Sequence, residues 1–310
     1  MEISYLCNLP ELAGEIEGDT KSVEDYLLKS IIPAASYGVA DELSEEFEPV
    51  LATRTVWPSP AHMTHNGRVV EIVDADSLRP MRIMELQTMT IGGKDQTIDT
   101  DVTLYHQAPT RKIQLLKGTA HELFYSSSAH AFSSAFFGWP NTYGDGNLTR
   151  LSVPVDIKAW WGFRSGGLTK GWKKITKLSG DIDDAINDII LTASVDPEGP
   201  SAITYAKLSP GGLIKVDDEL MRITSYGDDP TGIVCERGVN GTDPDTHDDQ
   251  TDIYVWIVEP IITRATQRWG AQLFAQKDLF WTETETSIRG VTEPGDMPND
   301  VRRILERFAR

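Results

Sequence analysis

Apolar residues early in the chain recur at helical steps. Leu27, Leu28, Ile31, Ile32, Ala35, Val39 and Leu43 follow one another at intervals of mostly three or four, the period of a helical stripe, which predicts a helix over roughly 23–46. Pro33 interrupts that run and leaves two readings open, a kinked helix or two short ones. After Pro58 and Pro60 the period changes. "GRVVEIVDA", "MRIMELQTMTIGGKDQTI", "DVTLYH" and "RKIQLLKG" are short β-rich runs separated by Gly, Asp and Pro, as in a meander of strands, with Gly92-Gly93 placed for a hairpin tip. The Ser-, Gly- and aromatic-rich stretch 120–147 has no readable period and is expected to be a long loop, of the kind that binds something. Strand patterning resumes in "RLSVPVDIKAWWGF".

A link, "RSGGLTKGWKKITK", leads to a second β-rich region in which Leu213, Val216, Leu220, Ile223 and Val234 would supply a small core. Helical spacing returns in "EPIITRATQRWGAQLFAQKDLF", positions 259–280. Pro260 suits a first helical turn, and Ile261, Ala265, Trp269, Leu273 and Phe280 mark one side. The terminal "NDVRRILERFAR" has Asn299 or Asp300 as its cap candidate and Val301, Ile304, Leu305 and Phe308 on one face.

Helices thus open and close the chain, with strands between. The expected fold class is α+β: a small discontinuous helical bundle formed by the N- and C-terminal helices, carrying inserted β-rich subdomains. The expected divisions are an N-terminal arm and helical part over 1–52, a first β-rich insertion over 53–165, a second β-rich module over 166–258, and closing helices over 259–310. The bundle core would join Leu28, Ile31, Ile32, Ala35 and Val39 to Ala265, Trp269 and Leu273.

Composition narrows the function. The formal net charge is −18, which argues against gripping nucleic-acid phosphates through a broad basic face and suits a surface that DNA slides past without sticking. Five carboxylates, Asp41, Glu42, Glu45, Glu46 and Glu48, crowd the end of the first predicted helix and read as a solvated face. The opening segment is acidic and broken by Pro10, unlike a signal peptide, and no stretch reaches the roughly 18 consecutive apolar residues of a membrane span. Manufacture in the cytoplasm is expected. Cys7 and Cys235 lie far apart, so neither a disulfide framework nor a thiolate metal site is expected. The sequons at Asn147 and Asn240 read as chance.

Chemistry-bearing patterns fail on spacing. His121-Glu122 begins a zinc-protease motif, but Tyr125 stands where the second His belongs. His130 adds only a second histidine, and Ser126, Ser127 and Ser128 beside it lack a nucleophile elbow. "DPDTHDDQTD", with Asp243, Asp245, His247, Asp248, Asp249 and Asp252, offers oxygen ligands without the order of a calcium loop and reads as a solvated turn. No phosphate-binding glycine loop is present. No catalytic residue, cofactor or metal is therefore expected, and a structural or binding role is favoured over an enzyme.

Three stretches in order carry a family resemblance. "SVEDYLLKSIIPAASYGVADEL", followed by "IMELQTMTIGGKDQTIDTDVTLY" and a strand ending "VDIKAWWGF", is similar to the opening of head–tail connector, or adaptor, proteins of tailed double-stranded DNA bacteriophages. "GGLIKVDDELMRITSYGDDPTGIVCERGVNGTDPDTHDDQTDIY" resembles a small β module that recurs in phage structural proteins, with its Asp-Glu-Leu-Met strand, Arg-Gly turn, Gly-Thr and single His. The stretch 259–280 is similar to the adaptors' closing helix, which packs back on the first.

The resemblance implies a virion protein at the capsid–tail junction. It would form a ring, commonly of twelve copies, beneath the portal protein, and would offer its far side to the next neck or tail protein while DNA passes through without sequence-specific binding. The basic terminal residues Arg302, Arg303, Arg307 and Arg310, with Arg264 and Arg268 on the late helix, are the candidate interaction residues. The alternative is a tail or baseplate component with a receptor- or glycan-binding β module, using aromatics such as Trp139, Tyr143, Trp160 and Trp161, although buried strand ends explain the last two more simply.

Overall fold

The computed structural model describes residues 5–16, 21–56, 63–64, 68–72, 82–105, 108–116, 154–192, 208–228, 231–276 and 297–308. The chain divides into two compact units, one formed by residues 1–48 with 169–310 and the other by residues 49–168. The expected loop over 120–147 lies outside the described residues.

Antiparallel sheet, not a helical bundle, dominates the molecule. Three sheets account for the strands, in orders β1-β8-β4-β5, β2-β3-β7-β6 and β10-β13-β12-β11-β14-β9. In chain order these are β1 Val50–Val56, β2 Met63–Thr64, β3 Val69–Glu71, β4 Ile83–Ile91, β5 Lys94–Gln96, β6 Val102–Leu104 and β7 Lys112–Leu115. There follow β8 Val155–Trp161, β9 Trp172–Lys177, β10 Asp188–Ile190, β11 Leu213–Val216, β12 Glu219–Tyr226, β13 Gly232–Glu236 and β14 Asp252–Trp256. The expected bundle with β insertions is thereby corrected. The reason is where apolar area is buried: among the described residues two clusters, of fourteen and thirteen buried residues, lie on the sheets.

In the unit 49–168 the two four-stranded sheets share one apolar cluster. Ile83 and Thr110 bridge them, each N–H donating to the other's carbonyl at 2.8 and 3.0 Å. β4 turns into β5 at Gly92-Gly93, with φ of 57° and 78°; two successive positive φ values make a tight hairpin turn whose twist matches the strands. The expected helical part over 1–52 overran: Val50 already begins β1, which pairs with β8 along its whole length. Trp161, fully buried on β8, donates its indole N–H to the Ala52 carbonyl at 2.8 Å. Trp160 is buried as well, so neither offers a stacking platform.

In the other unit the six-stranded sheet nearly closes on itself. β9 and β10 are its two edges, and Leu178 bridges Leu191 while Ser179 N–H donates to Ile190 O and Thr192 N–H to Lys177 O. The result is a small antiparallel barrel filled by Ile214, Val216, Met221, Ile223, Ile233 and Ile253, among others. The presumed link "RSGGLTKGWKKITK" supplies one of its strands, β9. The second β region is therefore built into the same unit as the helices and is not a separate insertion.

Among the described residues four α-helices of five or more residues belong to this unit: α1 Leu9–Ala13, α2 Ile32–Leu43, α3 Pro260–Gln276 and α4 Asn299–Phe308. α1 starts at Asn8, whose side chain accepts from Glu11 N–H while the Glu11 carboxylate accepts from Asn8 N–H. Pro10 sits in its first turn, where a missing N–H costs nothing. Before α2 the chain winds through Lys21–Val23 and Glu24–Tyr26, then a π turn over Leu27–Ile31. Pro33 explains that turn. Its ring would crowd the Lys29 carbonyl in a regular α-helix, and one extra residue in the turn relieves the clash without ending the helix.

α2 packs on α3, and α4 packs on both. Gly38 leaves room for the Trp269 ring, and Gly270 lets Leu12 of α1 approach α3. Of the expected bundle-core residues, Ile31, Ile32, Ala35, Val39, Ala265 and Trp269 are buried, and Leu28 and Leu273 are half-buried. α4 begins at Asn299 itself, one residue before the position that a cap at Asn299 would give. Lys277 and Phe280 lie outside the described residues.

Candidate functional site

The densest chemistry of the chain lies at one end of the barrel and grows out of β12. Its first five residues, Glu219 to Ile223, are all buried, so both faces of the strand are covered and two charged side chains are drawn inside. Glu219 is one. Its carboxylate accepts five hydrogen bonds: Arg237 Nε at 2.6 Å and Gly238 N at 3.0 Å on Oε1, then Arg237 Nη2 at 2.7 Å, Asp245 N at 3.0 Å and His247 Nε2 at 2.9 Å on Oε2. Arg237 spends all five N–H groups, three of its bonds going to the carbonyls of Asp183, Ile186 and Asp245 at 2.6–2.8 Å. The His247 ring is held from its other side by Asp217 Oδ2, 2.8 Å from Nδ1.

Backbone geometry completes this corner. Asn240 and Gly241 take positive φ, and Thr242 Oγ1 donates to Val239 O while accepting from Leu220 N–H. Gly238, at φ 63°, has Pro244 packed where a β-carbon would stand. The Arg-Gly, Gly-Thr and His signature thus specifies one fold of the chain, tying 183–186, 217–220 and 237–247 together.

Burial pushes the Glu219 carboxyl upward, but the hydrogen bonds from Arg237, His247 and the Asp245 N–H, with the Arg237 charge, outweigh it and hold the group below its ordinary value. A carboxylate so saturated has no lone pair to offer a substrate proton. The acidic turn behaves alike. Asp249 accepts from Gly180 N–H, and Asp252 pairs with Lys174 and Lys177. Among the described residues no three His, Cys, Asp or Glu side chains converge as a metal site.

Arg222 is the second charge drawn inside. Its guanidinium grips Glu48 with two bonds of 2.6 and 2.7 Å, donates to Gly211 O and stacks on the Tyr5 ring. Glu48, expected on a solvated face, is instead buried at 3 % exposure, because this arginine waits for it. Trp256 donates its indole N–H to Phe47 O at 3.0 Å, so two side chains of the barrel clamp the stretch just after α2. Beside this clamp lies a cleft of about 360 Å³ lined by Tyr5, Asn8, Glu48, Trp256, Arg264 and Gln267, among others.

Three of the candidate interaction residues are held in ion pairs among the described residues. Arg264 pairs with Glu15, Arg268 with Asp300 at 2.6 Å, and Arg302 with Glu42 at 3.4 Å. Arg303 is exposed on α4, Arg307 lies on that helix, and Arg310 falls outside the described residues. Since Met297 just before α4 and Val301 and Leu305 on it are buried, removing 297–310 would strip core as well as charge. His121, Ser126, Ser127, Ser128, His130, Trp139 and Tyr143 all lie outside the described residues.

From sequence, Glu219 and Arg237 stand out only as members of the Asp-Glu-Leu-Met and Arg-Gly signature, Glu48 only as one of five crowded carboxylates, and Arg222 not at all. One signal was available for the first: Glu219 alternates with Met221 and Ile223, so it occupies a core-facing register on its strand. No helix among the described residues is long and apolar enough to cross a membrane. Compared with known proteins, the chain matches no protein-family model and no curated protein.

Proposed function

We propose that this chain is a head–tail adaptor of a tailed double-stranded DNA phage, acting as a ring beneath the portal and linking the filled capsid to the next neck or tail protein. The order of three resembling stretches supports the reading, and one observation carries it. The signature residues Glu219, Arg237, Gly238, Thr242 and His247 are all engaged in one closed corner, so the pattern builds a rigid block. A saturated, rigid block is what a repeated structural part needs.

Charge supports it too. The unit containing the barrel and helices carries 18 Lys and Arg against 37 Asp and Glu, whereas residues 49–168 carry 11 against 10. An acidic surface repels DNA phosphates and keeps a passage from adhering to its cargo. Arg303, exposed on α4, is placed to meet an acidic partner, whereas Arg302 is engaged with Glu42.

Immunogold labelling of the encoding phage tests the proposal. Label at the neck of intact particles and at one vertex of tail-less, DNA-filled heads is the expected result. Label at the distal tail would favour the receptor- or glycan-binding alternative, and absence of label from intact and disrupted particles alike would overturn a virion role.

A further inference from the structure

β1 is the longest open strand edge among the described residues. The barrel's edges meet each other at Leu178 and Leu191, while β2, β5 and β6 are two or three residues long. β1 runs seven residues with no register shift, no proline and no lysine, and its one charge, Arg54, lies over the Trp161 ring. Its outward groups follow from its neighbour. Gly92 N–H donates to Pro154 O and Gly162 N–H to Arg82 O, so the even residues of β8 bond β4 and its odd residues bond β1. Val50, Ala52, Arg54 and Val56 therefore face β8, and Leu51, Thr53 and Thr55 point their N–H and C=O groups away, with no backbone partner among the described residues.

We infer that this edge pairs with the same edge of a second copy of the chain, antiparallel about a two-fold axis through Thr53. The edge reads Val-Leu-Ala-Thr-Arg-Thr-Val. Centred on Thr53 it sets Leu51 against Thr55, Thr53 against Thr53, Val50 against Val56 and Ala52 against Arg54, with no like charges opposed. The three outward residues of each copy coincide with the hydrogen-bonding positions of that register and would exchange about six backbone bonds. The two β1–β8–β4–β5 sheets become one of eight strands.

Charge identifies the occupant as a like unit. Residues 49–168 are nearly neutral, so two copies meet there without local repulsion, while the net charge of −18 makes whole copies repel. Added salt therefore strengthens the pair, opposite to an interface built on ion pairs. A two-fold pair closes on itself and builds no ring, so this contact is distinct from the head-to-tail contacts of a ring. The pair belongs to the free protein, and the inference does not depend on the proposed place in a particle.

Sedimentation velocity of the full chain over a concentration series, at low and high salt, tests it. The wild type is expected to form a dimer whose fraction rises with salt. Thr53→Pro, which removes only an outward N–H and which edge strands tolerate, and Thr53→Lys are each expected to abolish the dimer with melting temperature unchanged. Thr53→Cys should crosslink two copies under mild oxidation, because directly opposed residues of such a pair lie about 5.5 Å apart, within disulfide reach. Leu51→Cys, set against Thr55, should not. A wild type monomeric at every concentration and salt, a dimer weakened by salt, or folded Thr53 variants that dimerise like the wild type would each overturn the inference; none would alter the particle-labelling result.

Discussion

Replacing Glu219 with Gln keeps the volume of the side chain and removes its charge and one of its two accepting oxygens. The amide NH₂ must then face donors. Placed at the Oε1 position it opposes Arg237 Nε–H and Gly238 N–H; placed at Oε2 it opposes three donors, so the first orientation costs less. Either way the Arg237 guanidinium, its side chain only 3 % exposed, loses its counter-charge. Removing one partner of a buried ion pair costs about 3–5 kcal/mol. For a unit of this size each kcal/mol lowers the melting temperature by roughly 2–4 °C, so a fall of about 10 °C is expected for the transition that unfolds the barrel. The pH dependence supplies an independent check. The folded Glu219 carboxyl titrates below its ordinary value of 4.5, so its contribution is complete above that pH and is lost as pH falls through the lower folded value. Scanning calorimetry of wild type and Glu219→Gln should show a wide gap at neutral pH that narrows only in that acid window. A fall of under about 2 °C at neutral pH, too small for any broken buried pair, would refute the reasoning. A gap that stays constant into acid would refute the assigned direction of the shift.

Gly38→Ala should destabilise the acidic unit, because the new β-carbon would fall inside the Trp269 ring. Overpacking costs about 1–3 kcal/mol, against a gain of up to about 1 from helix propensity, so denaturant unfolding with tryptophan emission should show a net loss. An unchanged midpoint and spectrum would mean that α2 and α3 do not pack there. Burial pushes the thiols of Cys7 and Cys235 far above their usual range, so neither should react with a thiol reagent in the folded protein and both should react on unfolding. Rapid native labelling would contradict both placements.

Features set by neighbours in sequence could be read directly. Gly92-Gly93 turns a hairpin because two glycines accept positive φ at no steric cost, and the helical period of Leu27 to Leu43 marks a buried stripe wherever that helix packs. Even Pro33 announced an irregularity, though not its form, since a kink, a break and a π turn all relieve the same clash. The hierarchy was not legible. Helices at both ends of a chain imply that they meet, but not that two β cores outweigh them. The start of β1, Val50 to Ala52, falls in the expected helical part because seven residues with Thr and Arg among apolar neighbours alternate too weakly to mark where the strand begins.

The candidate site divides in the same way. Glu219 could be suspected from a charge at a core-facing register, and Arg237-Gly238 and Gly241-Thr242 from turn chemistry. That Arg237 also reaches the carbonyls of Asp183 and Ile186, about fifty residues earlier, depends on where the barrel brings that loop. Glu48 and Arg222 are 174 positions apart, and nothing near Glu48 separates it from the four exposed or half-exposed carboxylates before it. By itself the sequence determined which segments are periodic, where turns fall and how charge is apportioned, because those properties depend on side chains a few residues apart. Only the tertiary structure decided which charges are buried, which strands close the barrel and which edge stays open. Burial and pairing are properties of surfaces in contact, and surfaces distant in sequence meet only when the chain has folded.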